Sequence, residues 1–272
     1  MLDEIHKYGD WKNYLKGAYD GYSDEYRFLV TGNGRCLGNA FPLLGFPRAV
    51  SCRRGPHLSA MGSRVSPPVL RENVRDAFAV KQIDTMESLY QILPDRIGSS
   101  FSANSCAELL RVSHATISSW IEVFKRFYLD FAIRPYRRKV ARSLLKEPKL
   151  YFYDFIRVQD EAARFENMVA LELARATSLW TNQGIGDFDL CYLRTKEKRE
   201  VDFLVTRDGH PFFMVEAKSS ETDPSPNLAH FQNILDIPAI QVVNRPGISR
   251  VYKSGRHRTL VVTAARWLAG LG

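Results

Sequence analysis

Three charged side chains in the C-terminal third of the chain have the types and the spacing that metal-dependent cleavage of phosphodiesters requires. Asp202 lies in the segment Glu200–Thr206, and Glu216 and Lys218 lie in the segment Phe212–Lys218. Carboxylates bind Mg²⁺, and a neighbouring ammonium group orients the attacking water or stabilises charge that develops on the phosphate. These residues therefore predict a magnesium site in which Asp202 and Glu216 are ligands and Lys218 is the catalytic group.

The two segments predict neighbouring strands, and the turn between them decides whether the two acids meet. Side chains alternate across a strand, so Glu216 and the lysine share one face. A two-residue loop at Asp208-Gly209 would place Asp202 opposite Val215 and send the acids to opposite faces. A three-residue loop over residues 208–210 would place Asp202 opposite Glu216, with Cβ atoms about 5 Å apart. We predict the three-residue loop.

A third acid comes from a helix predicted over residues 161–176. Its apolar residues recur at helical spacing, and Glu166 lies beside that apolar stripe. This position lets the carboxylate reach the rim of the sheet, so we interpret Glu166 as a supplementary metal ligand. One alternative stays open: acids on helices and strand edges also form salt bridges that only stabilise a fold.

These motifs as a set resemble the restriction-endonuclease-like superfamily, whose core pattern is written PD-(D/E)XK. More specifically, residues from about 146 to 272 resemble the C-terminal domain of unknown function found on many prokaryotic AAA-type ATPases. The matching stretches are Lys146–Asp154, Phe165–Asn167, Tyr192–Arg194, Glu200–Phe203 and Val215–Ser220. The resemblance implies a restriction-endonuclease-like mixed α/β domain over residues 154–272. It does not imply cleavage, because such folds often lose activity.

The beginning of the chain resembles the end of a Walker B strand in the same ATPase family. The resemblance implies that Asp3 would hold the Mg²⁺ of a nucleotide, that Glu4 would polarise water, and that Asn33 would sense the γ-phosphate. A P-loop of the form Gly-x-x-x-x-Gly-Lys-Ser/Thr is absent from the 272 residues, so the phosphates have no cradle. We therefore interpret residues 1–44 as the remnant of an incomplete P-loop ATPase domain in a truncated family member. Neither ATP binding nor ATP hydrolysis is expected of this chain alone.

Residues 45–70 have neither helical nor strand periodicity, and glycine, proline, serine and arginine dominate them. That composition is typical of an irregular linker. A second interpretation is a locally shifted reading frame in a decaying gene. The sequence leaves both open.

Residues 71–153 predict a winged-helix domain. Two short helices are predicted over residues 104–112 and 115–127, and strands follow over residues 129–134 and 149–153. The apolar residues of the two helices have the spacing with which crossing helices bury a small core.

The predicted winged helix indicates contact with DNA. Thr116 and Ser119 lie on the outer side of the second helix, where small polar residues suit a recognition helix. Residues 134–149 carry seven Lys and Arg residues against one acid, and the net charge of the whole chain is +8. From this basic connection we take Arg137, Arg138 and Lys139 as contacts to the phosphate backbone.

Composition limits the remaining functional classes. With 45% hydrophobic residues, the 272-residue chain can bury the cores of two small domains. No apolar run approaches the ~20 residues of a membrane helix, and the acidic first residues do not form a signal peptide. The four cysteines have no C-x-x-C spacing, which argues against a zinc site or a disulfide framework. These observations predict a cytoplasmic protein without a membrane partner, and they do not predict its oligomeric state.

The leading functional hypothesis is therefore DNA binding through the winged helix, with Mg²⁺-dependent phosphodiester hydrolysis in the nuclease-like domain. The alternative is a non-catalytic DNA- or protein-interaction module, or the product of a decaying gene.

Overall fold

Six α-helices and eight strands form the described part of the chain, which is residues 82–136 and 147–271 of a computed structural model. The helices are α1 Ile83–Ile92, α2 Ala103–Leu110, α3 His114–Arg126, α4 Glu161–Asn182, α5 Pro226–Leu235 and α6 Ala264–Leu268. The strands are β1 Asp130–Pro135, β2 Lys149–Phe152, β3 Phe188–Arg194, β4 Glu200–Arg207, β5 His210–Lys218, β6 Ala239–Val243, β7 Ser249–Ser254 and β8 His257–Thr263. Short 3₁₀ turns follow α1 and β2.

Several sequence-based predictions fall outside these residues. They concern the ATPase remnant, the linker over residues 45–70 and the basic connection between β1 and β2. The individual residues are Asp3, Glu4, Asn33, Arg137, Arg138 and Lys139.

Side-chain caps fix where α2 and α3 begin. Ser102 Oγ accepts a hydrogen bond from the Ser105 N–H at 3.4 Å, and Ser113 Oγ accepts one from the Thr116 N–H at 3.0 Å. Both satisfy backbone donors that the first turn of a helix leaves without a partner. The αL conformation of Arg111, with φ 55°, ends α2. The predicted bounds of both helices are therefore close to the observed ones.

The eight strands form one mixed sheet in the order β2-β1-β3-β4-β5-β6-β8-β7. The pairs β1–β3, β5–β6 and β6–β8 are parallel, and the other neighbours are antiparallel. The predicted mixed α/β architecture is confirmed. The sheet is continuous across the predicted boundary at residues 153 and 154, because β1 pairs with β3. The division into a winged helix and a nuclease-like domain stays a prediction.

Two apolar clusters cover the two faces of the sheet. The face that packs against α4 is called the α4 face, and its buried residues include Val169, Leu173, Phe203 and Val215. The opposite face packs against α5 and is called the α5 face; its buried residues include Leu204, Met214, Leu228 and Phe231. The neighbours Phe203 and Leu204, and likewise Met214 and Val215, thus belong to opposite faces, as the pleat requires.

The turn between β4 and β5 is a two-residue loop, so the predicted three-residue loop is wrong. Arg207 pairs with His210, and Asp208 and Gly209 lie between them with φ 51° and 77°. Positive φ at both central residues is the geometry of a type I′ hairpin turn, which Asp-Gly adopts readily.

A bulge in β5 compensates for the shorter loop. The register shifts between the pairs Val205↔Phe213 and Thr206↔Pro211, so Phe212 has no partner of its own. One extra residue in a strand moves every later pair by one position.

Beyond this bulge Phe203 pairs with Val215. The next residues outward along the two strands are Asp202 and Glu216. The expected register of these two acids is therefore reached through the bulge and not through the loop. Their side chains do not share a face, because Asp202 contacts Lys149 beside α4, whereas alternation with Val215 and Ala217 turns Glu216 to the α5 face.

Asn167 holds α4 against β2. Its Oδ1 accepts a hydrogen bond from the Phe152 N–H and its Nδ2 donates to the Phe152 carbonyl, both at 2.8 Å. The side chain is 0% exposed, so neither partner can turn to water. This pair of bonds fixes the part of α4 that carries Glu166.

Replacing Asn167 by alanine is expected to lower the free energy of unfolding by about 2–4 kcal/mol, because two buried backbone groups lose their partners. Urea denaturation measures the difference. Asn182→Ala, at the exposed end of the same helix, is the matched control and should change stability by less than about 0.5 kcal/mol. Equal effects of both variants would contradict the role of Asn167.

Candidate functional site

A buried lysine lies among three carboxylates on the α4 face. The Nζ atom of Lys149 is 2.6 Å from Glu200 Oε1, 3.3 Å from Glu166 Oε1 and 3.9 Å from Asp202 Oδ1. The lysine side chain is only 1% exposed. These four residues are called the Lys149 cluster, and they join β2, α4 and β4.

Strand β2, which begins at Lys149, positions the Lys149 cluster. Tyr151 follows two residues later and points to the same face, and its hydroxyl donates to Glu166 Oε1 at 2.7 Å. Glu166 directly precedes Asn167, which is bonded to Phe152. The carboxylate of Glu166 is therefore held by two donors from β2.

Lys149 belongs in sequence to the basic connection predicted to contact DNA, but in the structure it lies inside the fold. Its ammonium group neutralises internal acids and adds no charge to the surface. The alternation of Glu200 and Asp202 on β4 is visible in the sequence. The partner lysine is not, because a lysine before the apolar run Leu150–Tyr153 has no pattern that distinguishes a buried side chain from an exposed one.

Burial acts to lower the pKa of the Lys149 ammonium group. The attraction of Glu166, Asp202 and Glu200 outweighs burial and raises that pKa. Lys149 consequently remains charged inside the fold and compensates the acids around it.

Asp202 connects the Lys149 cluster to β5. Its Oδ2 accepts a hydrogen bond from the Ala217 N–H at 2.9 Å. Burial raises the pKa of Asp202 to about 8; repulsion by Glu166 and Glu216 adds to the rise, and Lys149 opposes it. Asp202 is thus a half-buried carboxyl that binds a proton more tightly than an exposed aspartate.

Glu216 and Lys218 form a second charged pair on β5. Glu216 is 3% exposed, and its Oε1 lies 3.0 Å from Lys218 Nζ. Within residues 82–136 and 147–271, the buried Oε2 of Glu216 has no hydrogen-bond partner. Val215 and Ala217 pack on the α4 face, so strand alternation assigns Glu216 and Lys218 to the α5 face.

The predicted site residues thus fall into two connected sets. Glu166 and Asp202 both belong to the Lys149 cluster, while Glu216 and Lys218 pair with each other. Asp202 links the sets through its hydrogen bond to the backbone between Glu216 and Lys218.

A three-acid metal site is not formed by the described side chains. No group of three or more His, Cys, Asp or Glu residues in that part of the chain is arranged to hold a metal ion. Glu166 Oε1 already accepts from Tyr151 and contacts Lys149, so its role as a ligand stays a prediction.

Two carboxylates nevertheless suit Mg²⁺, which is usually bound through one or two carboxylates together with waters and substrate phosphates. The unpaired, buried Oε2 of Glu216 is an acceptor of the kind that a hard cation binds. Asp202 lies close enough to Glu216 for their repulsion to raise its pKa. Asp202 lies with the Lys149 cluster on the α4 face, whereas strand alternation assigns Glu216 to the α5 face, so an ion shared by these two residues stays a prediction.

The predicted DNA contacts on α3 have different surroundings. The hydroxyl of Thr116 lies 2.8 Å from Ser113 Oγ and takes part in the cap of α3. Ser119 is exposed. None of the described helices has the length and apolar character needed to span a membrane.

Comparison with known protein families gives two matches, which lie one after the other along the chain. Residues 45–155 match a family described as a domain of unknown function (DUF8612), and residues 162–264 match another, also described as a domain of unknown function (DUF4143). The second match contains all four of the predicted catalytic and metal-binding residues. The DUF4143 domain is found in AAA-ATPase-associated proteins, and the match hints at an AAA-related family.

Among solved structures, the chain is similar to part of a half-complex from a tetradecameric assembly of Thermococcus gammatolerans McrB AAA+ hexamers with bound McrC. The similarity covers 67% of this chain and 48% of that chain, at 11% sequence identity and a TM-score of 0.29. A TM-score this low carries no argument about the fold. No curated protein sequence matches the chain.

Because Lys149 is buried, removing its charge should destabilise the fold far more than removing the charge of an exposed ion pair. Lys149→Met should lower the free energy of unfolding by about 3–5 kcal/mol, because it leaves buried carboxylates uncompensated. The control is Lys125→Met: Lys125 contacts Glu122 at the same 2.6 Å, but water screens this pair. The control should change stability by less than about 1 kcal/mol. Similar losses for both variants in urea denaturation would refute the cluster's structural role.

Asp202 predicts a pH dependence of stability. Since its folded pKa of about 8 lies above the ordinary aspartate value of 3.8, the native state binds the proton more tightly than the unfolded chain does. This contribution to stability is lost as pH rises from about 4 to 8. Asp202→Asn removes the titration and can still accept from the Ala217 N–H. Relative to the wild type, the variant should gain about 2–4 kcal/mol between these pH values. A stability difference that is constant with pH would contradict the raised pKa.

Proposed function

We propose that this chain hydrolyses phosphodiester bonds of DNA in a Mg²⁺-dependent reaction at Asp202, Glu216 and Lys218. The observation that carries the proposal is the buried Oε2 of Glu216, which has no partner among the described residues. A buried carboxylate oxygen without a partner is costly, and a divalent cation would relieve that cost.

Each residue of the proposed site has a distinct task. Asp202 and Glu216 would hold the ion, and Lys218 would orient the attacking water or stabilise charge on the phosphate. When bound, Mg²⁺ polarises a phosphoryl oxygen and increases the acidity of a coordinated water. Lys149 is a positioning residue, because it contacts Asp202 from the side away from β5.

The solvent exposure of Lys218 and Glu216 supports these different tasks. The side chain of Lys218 is 32% exposed, whereas that of Glu216 is 4% exposed. The ammonium group can therefore meet a substrate from solvent while the carboxylate beside it stays in a less polar environment. Electrostatic interactions are stronger in such an environment than in water.

The sequence context supports a DNA substrate. A helix with Glu166, then two paired strands with Asp202 and Glu216, is the order that the resemblance to restriction endonucleases implies. The match to a domain found in AAA-ATPase-associated proteins covers this whole stretch, residues 162–264. The winged helix, DNA binding and a cytoplasmic location belong to this proposal.

A second candidate function is a non-catalytic interaction module related to AAA-ATPase-associated proteins. The ion pairs favour it, since Lys149 compensates the acids of its cluster and Lys218 pairs with Glu216 at 3.0 Å. In this case the charged residues only stabilise the fold.

Incubation of supercoiled plasmid with the protein and Mg²⁺ or Mn²⁺ separates the two functions. Hydrolysis predicts nicked or linear DNA and no reaction in EDTA. The Lys218→Ala variant should cleave at a rate reduced at least about 100-fold. Lys196→Ala, an exposed lysine in the β3–β4 turn, is the matched control and should retain the wild-type rate. Folded wild-type protein that leaves the plasmid intact with both metals would overturn hydrolysis and favour the module.

A further inference from the structure

The β7–β8 hairpin and its approach carry a concentration of positive charge that the sequence analysis did not use. Residues 244–258 contain five Lys or Arg residues and no acid. All five are exposed, and they are Arg245, Arg250, Lys253, Arg256 and Arg258. This segment is called the basic ribbon.

Two of these cations oppose each other directly. Lys253 and Arg258 are partners in the antiparallel pairing of β7 with β8, so their side chains leave the same face of the ribbon. Like charges in directly opposed positions destabilise a sheet. The folded chain therefore retains a repulsion that an anionic ligand would remove.

Acidic side chains of the protein neutralise little of the ribbon's positive charge. Among the described residues, Asp236 is the acid that contacts the ribbon, and it lies 3.6 Å both from Arg256 and from His257 Nδ1. The side chains of Arg256 and Asp236 are more than half exposed, at 71% and 63%, and such a pair contributes little. The other four cations remain available for a ligand.

The position of the ribbon makes it accessible to a large partner. β7 is the last strand in the sheet order, and every residue of it except Tyr252 is exposed. A single protective charge suffices to prevent edge-to-edge pairing of strands. Five cations without an acid exceed that need and match the charge of a polyanion.

We infer that the basic ribbon binds the phosphate backbone of duplex DNA. A two-stranded ribbon fits the major groove, and Lys and Arg contacts to phosphates supply most of the non-specific affinity. The tip of the hairpin, Gly255-Arg256, has no large apolar side chain to enter a bilayer, which disfavours a membrane surface. The inference rests on the proposed function for its substrate class and involves none of the residues of the hydrolytic site.

Fluorescence anisotropy of a labelled DNA duplex tests the ribbon in EDTA, where no metal-dependent cleavage occurs. The test variant is Lys253→Ser/Arg258→Ser. The control variant, Lys196→Ser/Arg199→Ser, removes one exposed lysine and one exposed arginine from the β3–β4 turn.

The ribbon variant should bind about tenfold more weakly at low salt, and the slope of log affinity against log salt should become shallower by about 2, since each phosphate contact contributes about 0.9. The control should match the wild type. Removal of opposed like charges should leave the ribbon variant at least as stable as the wild type in urea, so the weaker binding is not a loss of fold.

Three results would overturn the inference: equal losses in both variants, a salt slope unchanged in the ribbon variant, or binding to phosphatidylserine vesicles in place of DNA. Because the measurement excludes metal, wild-type protein that binds through the ribbon but leaves plasmid intact would contradict hydrolysis alone. If the wild type cleaves plasmid but the ribbon variant binds DNA with wild-type affinity, the inferred role of the ribbon is contradicted and the proposed hydrolysis is not.

Discussion

The fold around the candidate site depends on one buried cation, the ammonium group of Lys149. A charge taken out of water is costly unless it is paired closely, and here β2, α4 and β4 each supply a member of the cluster. None of these elements can shift alone without leaving an unpaired charge inside the fold. The neighbouring Asn167 adds a second constraint on the same side of α4, because it saturates both backbone groups of Phe152. The position of Glu166 is therefore determined by electrostatics and hydrogen bonds together.

The relation between Asp202 and Glu216 depends on a compensation between a turn and a bulge. The Asp208-Gly209 turn would misalign the two acids by one residue, and the unpaired Phe212 restores their alignment. Aromatic contacts explain why this residue is tolerated, since the ring of Phe212 packs against Phe188 and Phe213 at centroid distances of 5.8 and 5.4 Å. The register of the two acids is thus stabilised by packing at a place remote from the charged groups.

Much of the fold could be predicted from the sequence, because periodicity and capping residues act locally. Ser102 and Ser113 mark the starts of α2 and α3, and the alternating strands around Gly209 mark a hairpin. Contacts between distant segments could not be predicted in this way. Lys149 was misassigned because its neighbours in sequence are basic, whereas its neighbours in space are acids from residues 166–202. The bulge was missed because no residue type requires one at Phe212.

The two lysines of the site differ in their surroundings. Lys149 is enclosed and faces three carboxylates, so it is committed to charge balance inside the fold. Lys218 is partly exposed and faces a single carboxylate whose other oxygen has no partner among the described residues. An enclosed ammonium group cannot exchange its partner for a substrate without a large desolvation cost, whereas a partly exposed one such as that of Lys218 can. In the proposed hydrolysis the reactive pair is Glu216 and Lys218. Asp202 contacts Lys149 on one side and accepts a hydrogen bond from the backbone of β5 on the other.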